Sequence, residues 1–303
     1  MDKDLPELAT QGRHSEIAGR LRATLEVAPP DAFEARMWIY RVLMSNPDVP
    51  MQTQDFDDVM RVTKHILQNH KSFSKSTILA THVVNQGFLY GADPVPDKER
   101  NEFLALQAAW SELTSDNSQE NDRCHALMIV SWCGETPAEK GAAIRELIEA
   151  GAEWGVMYAC VGIDDAFHIQ TSCDAIEQAI RSVKNPNYLA QIFIRKMGIM
   201  TSMLSVYIDQ KDSENLIRTL MHIQNCHVNL QLLSCKPWWR AYDQYHLARI
   251  ADILGDRETA RLLAITGSVL ARIMDIGDLQ KKIAALINKL MGEEKEELGD
   301  GLP

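Results

Sequence analysis

Residues 241–274 constrain the fold of this chain more than any other stretch, because small residues recur in it at helical spacing. The pattern predicts two helices joined by a turn at Gly255-Asp256, since glycine tolerates the backbone conformation that ends a helix. The predicted contact faces are Leu247, Ala248 and Ala251 on the first helix, and Ala260, Ala264 and Gly267 on the second. Small side chains on both faces predict a closely packed helical hairpin.

The rest of the chain shows the same helical pattern. Apolar residues recur three and four positions apart in almost every segment, and no segment alternates apolar and polar residues as a strand would. We expect about fourteen helices, joined mostly by short loops. This organisation favours an all-α fold in which antiparallel helix pairs stack as an α-solenoid. It predicts one helical domain over residues 1–292, which the loop at 91–97 can subdivide.

Charge and hydropathy exclude several classes of partner. The chain carries a net charge of −11, which argues against direct binding to nucleic acid or to an anionic membrane surface, because both require positive charge. The longest apolar segment, residues 192–208, is interrupted by Arg195 and Lys196, so no membrane helix is predicted. Residues 293–303 are acidic and glycine-rich, and they are predicted to form a disordered tail.

The six cysteines do not suggest a disulfide scaffold. None of them forms a CxxC pair, and six are few for a chain of 303 residues. The N-terminal residues are acidic and no apolar segment follows them, so no signal peptide is expected. We therefore expect free thiols and a cytoplasmic location.

The stretch 241–274 resembles the tetratricopeptide repeat, a helix–turn–helix unit of 34 residues. The positions that carry the resemblance are Leu247, Ala248, Ala251, Gly255, Ala260, Ala264 and Gly267. Ala264 stands where the family prefers an aromatic residue, Gly267 stands where it prefers alanine, and no proline ends the second helix. A second, partial match covers residues 12–29, with Gly12, Ile17, Leu21, Thr24 and Pro29 at the matching positions. No regular register is found between residues 50 and 235.

This resemblance implies a superhelix that binds a protein or a peptide in its inner groove. In such repeats the groove is lined by first-helix residues that do not pack against the second helix. Carried over to this chain, they are Tyr242, Tyr245, Arg249 and Asp252, and, near the N-terminus, Phe33, Arg36 and Tyr40. Aromatic residues and arginine are common interface anchors. The alternative is that Tyr242 and Tyr245 are core residues.

Two adjacent tryptophans precede this hairpin, in the segment 236–240. Neighbouring helical residues differ by about 100° in direction, so Trp238 and Trp239 cannot both point into one core. One of them is expected at a seam between helices or at the surface, where it could anchor a partner together with Arg240. The alternative is that both pack between neighbouring hairpins.

The sequence contains no established catalytic motif. Phosphate-binding glycine loops, the nucleophile elbow and the HExxH metal motif are all absent. Asp-x-x-His occurs three times and places a carboxylate and an imidazole on one helix face: Asp122/His125, Asp165/His168 and Asp243/His246. The densest group of soft metal ligands is His222, Cys226 and His227, followed by Cys235, but a fourth ligand at the usual zinc spacing is missing. We predict no catalytic residue, metal or cofactor.

These patterns together predict a non-enzymatic helical scaffold or adaptor. It would bind a protein or peptide partner as a subunit or a regulator of a larger complex. The alternative is an all-α enzyme, or a protein that binds a small ligand or a metal through the Asp-x-x-His groups or through His222 and Cys226.

Overall fold

The computed structural model describes residues 14–44, 55–89, 98–161, 169–234, 238–274 and 276–299. These residues form fourteen α-helices and a single 3-10 turn at His70–Ser72, and they contain no β-strand. The all-α prediction is confirmed for the described part of the chain. None of the described helices combines the length and apolar character that a membrane span requires.

The chain divides into two compact units, Met1–Tyr188 and Leu189–Pro303. The first unit contains α1 His14–Val27, α2 Phe33–Met44, α3 Phe56–Gln68, α4 Lys75–Leu89, α5 Lys98–Leu113, α6 Glu120–Cys133, α7 Pro137–Glu149, α8 Glu153–Val161 and α9 Ile169–Ser182. The second unit contains α10 Pro186–Asp209, which begins in the first unit, α11 Ser213–Leu232, α12 Trp238–Ile253, α13 Arg257–Ile273 and α14 Gly277–Gly299. The boundary therefore falls at the start of α10, whereas the predicted dividing loop 91–97 lies outside the described residues.

The acidic C-terminal segment continues the last helix. α14 extends to Gly299, so residues 293–299 are helical where the sequence predicts a disordered tail. Glutamate, lysine and leucine dominate this segment and have high helix propensity, which explains the extension. Residues 300–303 lie outside the described part.

Two helices, α4 and α6, form the centre of the first unit. Between them they pack against α2, α3, α5, α7 and α8, so each contacts helices one or two places away along the chain. Every residue from Leu79 to Gln86 in α4 is buried, and so is every residue from Cys124 to Trp132 in α6. Both buried runs include polar side chains. The interior of this unit is therefore not purely apolar.

The predicted helical hairpin is confirmed in the second unit. Gly255 adopts a φ of 82°, in the left-handed region, and the side chain of Asp256 accepts a hydrogen bond from the backbone N–H of Thr259. Ala260 and Ala264 of α13 are fully buried. A Cβ atom added at Gly267 would lie 3.3 Å from Ile283 Cδ1, so α14 also approaches this face closely.

The turn between α10 and α11 repeats the turn of this hairpin. Lys211 has a φ of 56°, and Asp212 caps α11 through Asn215 just as Asp256 caps α13. The backbone N–H of each capping aspartate bonds to a carbonyl five residues earlier, at 2.9 Å in both turns. The two turns of the second unit thus share one geometry, with lysine at one turn where glycine stands at the other.

Candidate functional site

The groove residues predicted in the C-terminal hairpin have packing and electrostatic roles. Tyr242 and Tyr245 are partly buried and pack against the core formed by α12, α13 and α14. The Arg249 guanidinium lies 5.9 Å from the centre of the Tyr245 ring, and Lys289 donates a hydrogen bond of 2.7 Å to Asp252. The structure therefore supports in part the alternative that Tyr242 and Tyr245 are core residues. Partner binding at these four residues stays a prediction.

Of the two adjacent tryptophans, the structure describes the side chain of Trp239. The Trp239 side chain is only 5% exposed and its ring lies 6.0 Å from that of Tyr242. Arg240, the next residue, is exposed. The side chain of Trp238 lies outside the described part of the chain, so its predicted position at a seam or surface stays a prediction.

The residues predicted at the N-terminal groove belong to a network between α1, α2 and α3. The Phe33 ring stacks on His65 with the ring centres 3.6 Å apart. Arg36 donates to Asp58 at 2.6 Å and to the carbonyl of Leu25 at 3.0 Å, near the end of α1. Tyr40 is buried and its hydroxyl donates to Asp58.

This network explains the electrostatics of its members. Hydrogen bonds from Tyr40, Arg36 and Arg61 lower the pKa of Asp58, although burial opposes them. Burial is the largest cause of the raised pKa of Tyr40. The arrangement fixes the exit of α1 against α2 and α3, and the predicted role in partner binding stays a prediction.

The Asp-x-x-His pairs do not act as pairs in the described residues. Asp122 accepts a hydrogen bond from Ser76, whereas His125 accepts one from Arg41 at 2.8 Å. Asp165 and His168 lie outside the described part.

The third pair also divides between different partners. Asp243 lies 2.9 Å from Nδ1 of His227 on α11 and accepts a second bond from Gln231, while burial raises the pKa of Asp243. His246 is buried, and this burial, together with the positive charge of Arg249, lowers its pKa to about 3.

The soft metal ligands His222, Cys226 and His227 are not part of a metal-binding group among the described residues. Cys226 is buried in the face that α11 turns inward, and His227 is engaged by Asp243. No group of three or more potential metal ligands occurs among the residues that the structure describes. Cys235 lies outside them.

A buried cation lies in the first unit at Arg41. This residue is 5% exposed, and its guanidinium carbon lies 3.9 Å from the centre of the Trp154 ring on α8. Nε donates to Nε2 of His125 on α6, which is 1% exposed. Burial lowers the pKa of Arg41 to about 10, and burial together with the charge of Arg41 lowers that of His125 to about 2. Arg41 is thus charged and His125 neutral at pH 7.

Two other groups near Arg41 are neutral as well. Burial raises the pKa values of both Tyr158 and Cys124, so neither is an anion at pH 7. The Tyr158 hydroxyl donates to the carbonyl of Met44. Among the described residues, no carboxylate forms an ion pair with Arg41. Aromatic rings complete the surroundings, because Trp38 and Trp154 lie 6.3 Å and 5.8 Å from His125.

The second unit exposes large aliphatic side chains along α13. Leu262, Ile265, Val269 and Ile273 are 61%, 46%, 53% and 69% exposed. Because successive helical residues turn by about 100°, these four lie within about 80° of one another, opposite the buried alanine face. α11 shows the same arrangement, with exposed residues Ile217, Met221, Val228 and Leu232 opposite its buried side.

The sequence contains a signal for the buried Arg41 and for the exposed aliphatic residues of α13, although neither feature was predicted from it. Arg41 lies at helical spacing with Met37 and Met44 on the apolar side of α2, where a charged residue is unusual. On α13, the aliphatic residues follow a second helical stripe beside the alanine stripe. Neither signal is visible when each helix is assigned a single, purely apolar face.

Comparison with known proteins gives no significant match to a protein-family model, to a curated protein or to a solved structure.

Proposed function

We propose that this chain is a helical protein-binding scaffold whose second unit contacts a protein partner through the exposed face of α13. The observation that carries the proposal is the distribution of side-chain size on this helix. Alanine and glycine fill the buried face, whereas leucine, isoleucine and valine point to solvent. Burial of large aliphatic side chains is strongly favourable, so a contiguous exposed stripe of them is typical of an interaction surface.

The small residues explain why the large ones are outside. α12 and α13 pack closely, because a Cβ atom added at Gly267 would lie 3.4 Å from Cβ of Gln244 on α12. A larger side chain there, or at the fully buried Ala264, would separate the two helices. The inner face therefore cannot accept the aliphatic residues. Exchanging the two faces would destroy the hairpin, and the outer stripe is available to another molecule.

The charges beside the stripe indicate the chemistry of the partner. Arg272 lies along one border of the aliphatic residues, Thr266 lies along the other, and Glu258 lies in line with them at the start of α13. A partner that places a carboxylate near Arg272, beside its own apolar surface, would complement the C-terminal end of this border. An amphipathic helix has this form, because it presents apolar residues in a stripe with charges at its edges.

The repeated turn supports the broader proposal of stacked helical hairpins. Lys211-Asp212 and Gly255-Asp256 adopt the same turn, and each turn joins two successive helices. Recurrent hairpins with one turn geometry are the unit of the tetratricopeptide-like solenoid that the sequence resembles. We propose this arrangement as the scaffold, acting as a subunit or a regulator of a larger complex.

Paired charge substitutions on α13 test the function. Ile265→Glu combined with Val269→Glu should change the free energy of unfolding by less than about 0.5 kcal/mol, because both side chains are exposed. The same variant should lose the protein partner that the wild-type chain retains in affinity purification. Phe103→Glu on α5 is the matched control, since Phe103 is an exposed apolar residue of the first unit.

The outcomes separate the possible occupants. Retained binding in the α13 variant, or equal loss in Phe103→Glu, would refute the assignment of the surface. A wild-type dimer that becomes a monomer in the α13 variant, measured by light scattering, would replace a different protein with a second copy of this chain. Tyr242→Ala with Arg249→Glu tests the groove separately, and loss of binding only in that variant would move the surface there.

A further inference from the structure

α11 presents its own aliphatic stripe to solvent, on a different helix from the stripe of α13. Its members are between 47% and 78% exposed: Ile217, Met221, Val228 and Leu232. Because successive helical residues turn by about 100°, these four side chains lie within about 60° of one another and form a stripe about 22 Å long. The opposite side of the helix is buried. A stripe of this kind is typical of an interaction surface.

The exposed part of α11 is uncharged over most of its length. No aspartate, glutamate, lysine or arginine occurs in residues 219–235, although the whole chain carries a net charge of −11. α4 contains a comparable uncharged run, but there every residue from Leu79 to Gln86 is buried. α11 thus combines solvent exposure with the depletion of charge that is found at the centre of protein–protein interfaces.

The stripe is also symmetric about its midpoint at residues 224–225. Met221 and Val228 lie at equal distances from this midpoint, and so do Ile217 and Leu232. When two copies of α11 pack antiparallel about a two-fold axis at the midpoint, Met221 of one copy meets Val228 of the other. Ile217 then meets Leu232 in the same way. Every aliphatic side chain of the stripe therefore has an aliphatic counterpart in a symmetric pair.

We propose that α11 is the contact surface of a homodimer, in which two copies of the chain pack these helices antiparallel about a two-fold axis. Like charges that face each other across such an axis repel, so a chain with a strong negative charge favours an uncharged face for self-association. Gln224 and Asn225 border the stripe on opposite sides of its midpoint, and both are exposed. A primary amide both donates and accepts, so Gln224 can hydrogen-bond to its own copy, which a carboxylate or an ammonium group cannot do.

The charges that α11 does carry fit the same arrangement. They are Glu214 and Arg218, near its N-terminal end, and they form a salt bridge of 2.9 Å with each other. Antiparallel packing places this neutral pair opposite the uncharged C-terminal part of α11 in the second copy, so no like charges meet. The dimer does not depend on the proposed function, because partner binding is assigned to α13.

The molar mass of the whole chain, measured by light scattering after gel filtration, tests the dimer. The wild type should have twice the chain mass of 34.1 kDa at micromolar concentrations. Met221→Glu places a charge against Val228 of the second copy, and it does so twice in each dimer. The dissociation constant of the dimer should therefore rise by about 100-fold or more, with an unchanged circular dichroism spectrum. Val269→Glu on α13 is the matched control, because Val269 is also an exposed aliphatic residue, and it should leave the dimer intact.

A second substitution tests the symmetry of the pairing. Val228→Lys alone should also dissociate the dimer, whereas Met221→Glu combined with Val228→Lys should restore it, because the introduced glutamate of one copy faces the introduced lysine of the other. A monomeric wild type, a dimer that persists in Met221→Glu, or a dimer that is lost in Val269→Glu would overturn the assignment to α11. A double variant that stays monomeric would overturn the antiparallel pairing.

Discussion

Replacing Arg41 by methionine should leave the chain as stable as before or make it more stable, although the residue is buried. Burial lowers the pKa of Arg41 from its ordinary value to about 10, which corresponds to a penalty of about 3 kcal/mol for the charged form. The hydrogen bond to His125 and the stacking on Trp154 offset about 2 to 3 kcal/mol of it. Methionine has similar length and leaves no described carboxylate without a partner, and the donor that His125 Nε2 loses is included in this offset. We expect a change in the free energy of unfolding between zero and a gain of about 2 kcal/mol.

Arg36, on the same helix, provides the contrasting case. Its guanidinium bonds to Asp58 and to the carbonyls of Leu25 and Ala28, so Arg36→Met leaves several acceptors unpaired. The expected loss is about 2 to 4 kcal/mol. Urea unfolding followed by circular dichroism and by tryptophan fluorescence measures both variants. If Arg41→Met loses as much stability as Arg36→Met, the buried charge of Arg41 stabilises the fold and this prediction is wrong.

Three further predictions follow from packing, backbone conformation and ionisation. Gly267→Val should reduce the free energy of unfolding by about 1 to 3 kcal/mol, because even a Cβ at this position would lie 3.3 Å from Ile283. Gly292→Val is the control, since a Cβ there meets nothing within 4 Å. In the same urea titration it should cost less than half as much. Lys211→Gly should raise the thermal midpoint, since lysine holds a φ of 56° that glycine adopts without strain; an unchanged midpoint would contradict this reading of the turn. Burial lowers the pKa values of His82, His125 and His246 to about 4, 2 and 3, below the unfolded value of 6.5. The native state therefore binds fewer protons, and stability should fall below pH 6.5 by about 1.4 kcal/mol per pH unit for each of these histidines until its native pKa is reached. His82→Leu should flatten this dependence, whereas His70→Gln, at an exposed position, should not.

Local patterns in the sequence were sufficient for the hairpin at residues 241–274. Its alanines and its glycine turn each act over a few residues, so spacing alone predicts them. The equivalent turn at Lys211-Asp212 was not predicted, because lysine gives no indication of a left-handed conformation. Tertiary packing imposes that conformation, and a single sequence contains no direct record of it.

The candidate sites depend on contacts between distant residues and were less predictable. Arg41 and His125 are 84 positions apart, and only the packing of α2 and α6 within one unit brings them together. The partner of Asp243 proved to be His227 on another helix, and not the histidine three residues away. Helical spacing correctly placed Asp243 and His246 on one helix, but side-chain direction and burial determined which group each one meets.

Photo-crosslinking at residue 265 tests the proposed scaffold function most directly. A photoreactive phenylalanine analogue at position 265 should capture one discrete protein in the cells where the chain is native, and Val269→Glu in the same chain should abolish the product. The same analogue at position 103, on the exposed surface of α5, should give no such product. Equal crosslinking from both positions, or a product at 265 that persists with Val269→Glu, would contradict a specific contact surface on α13.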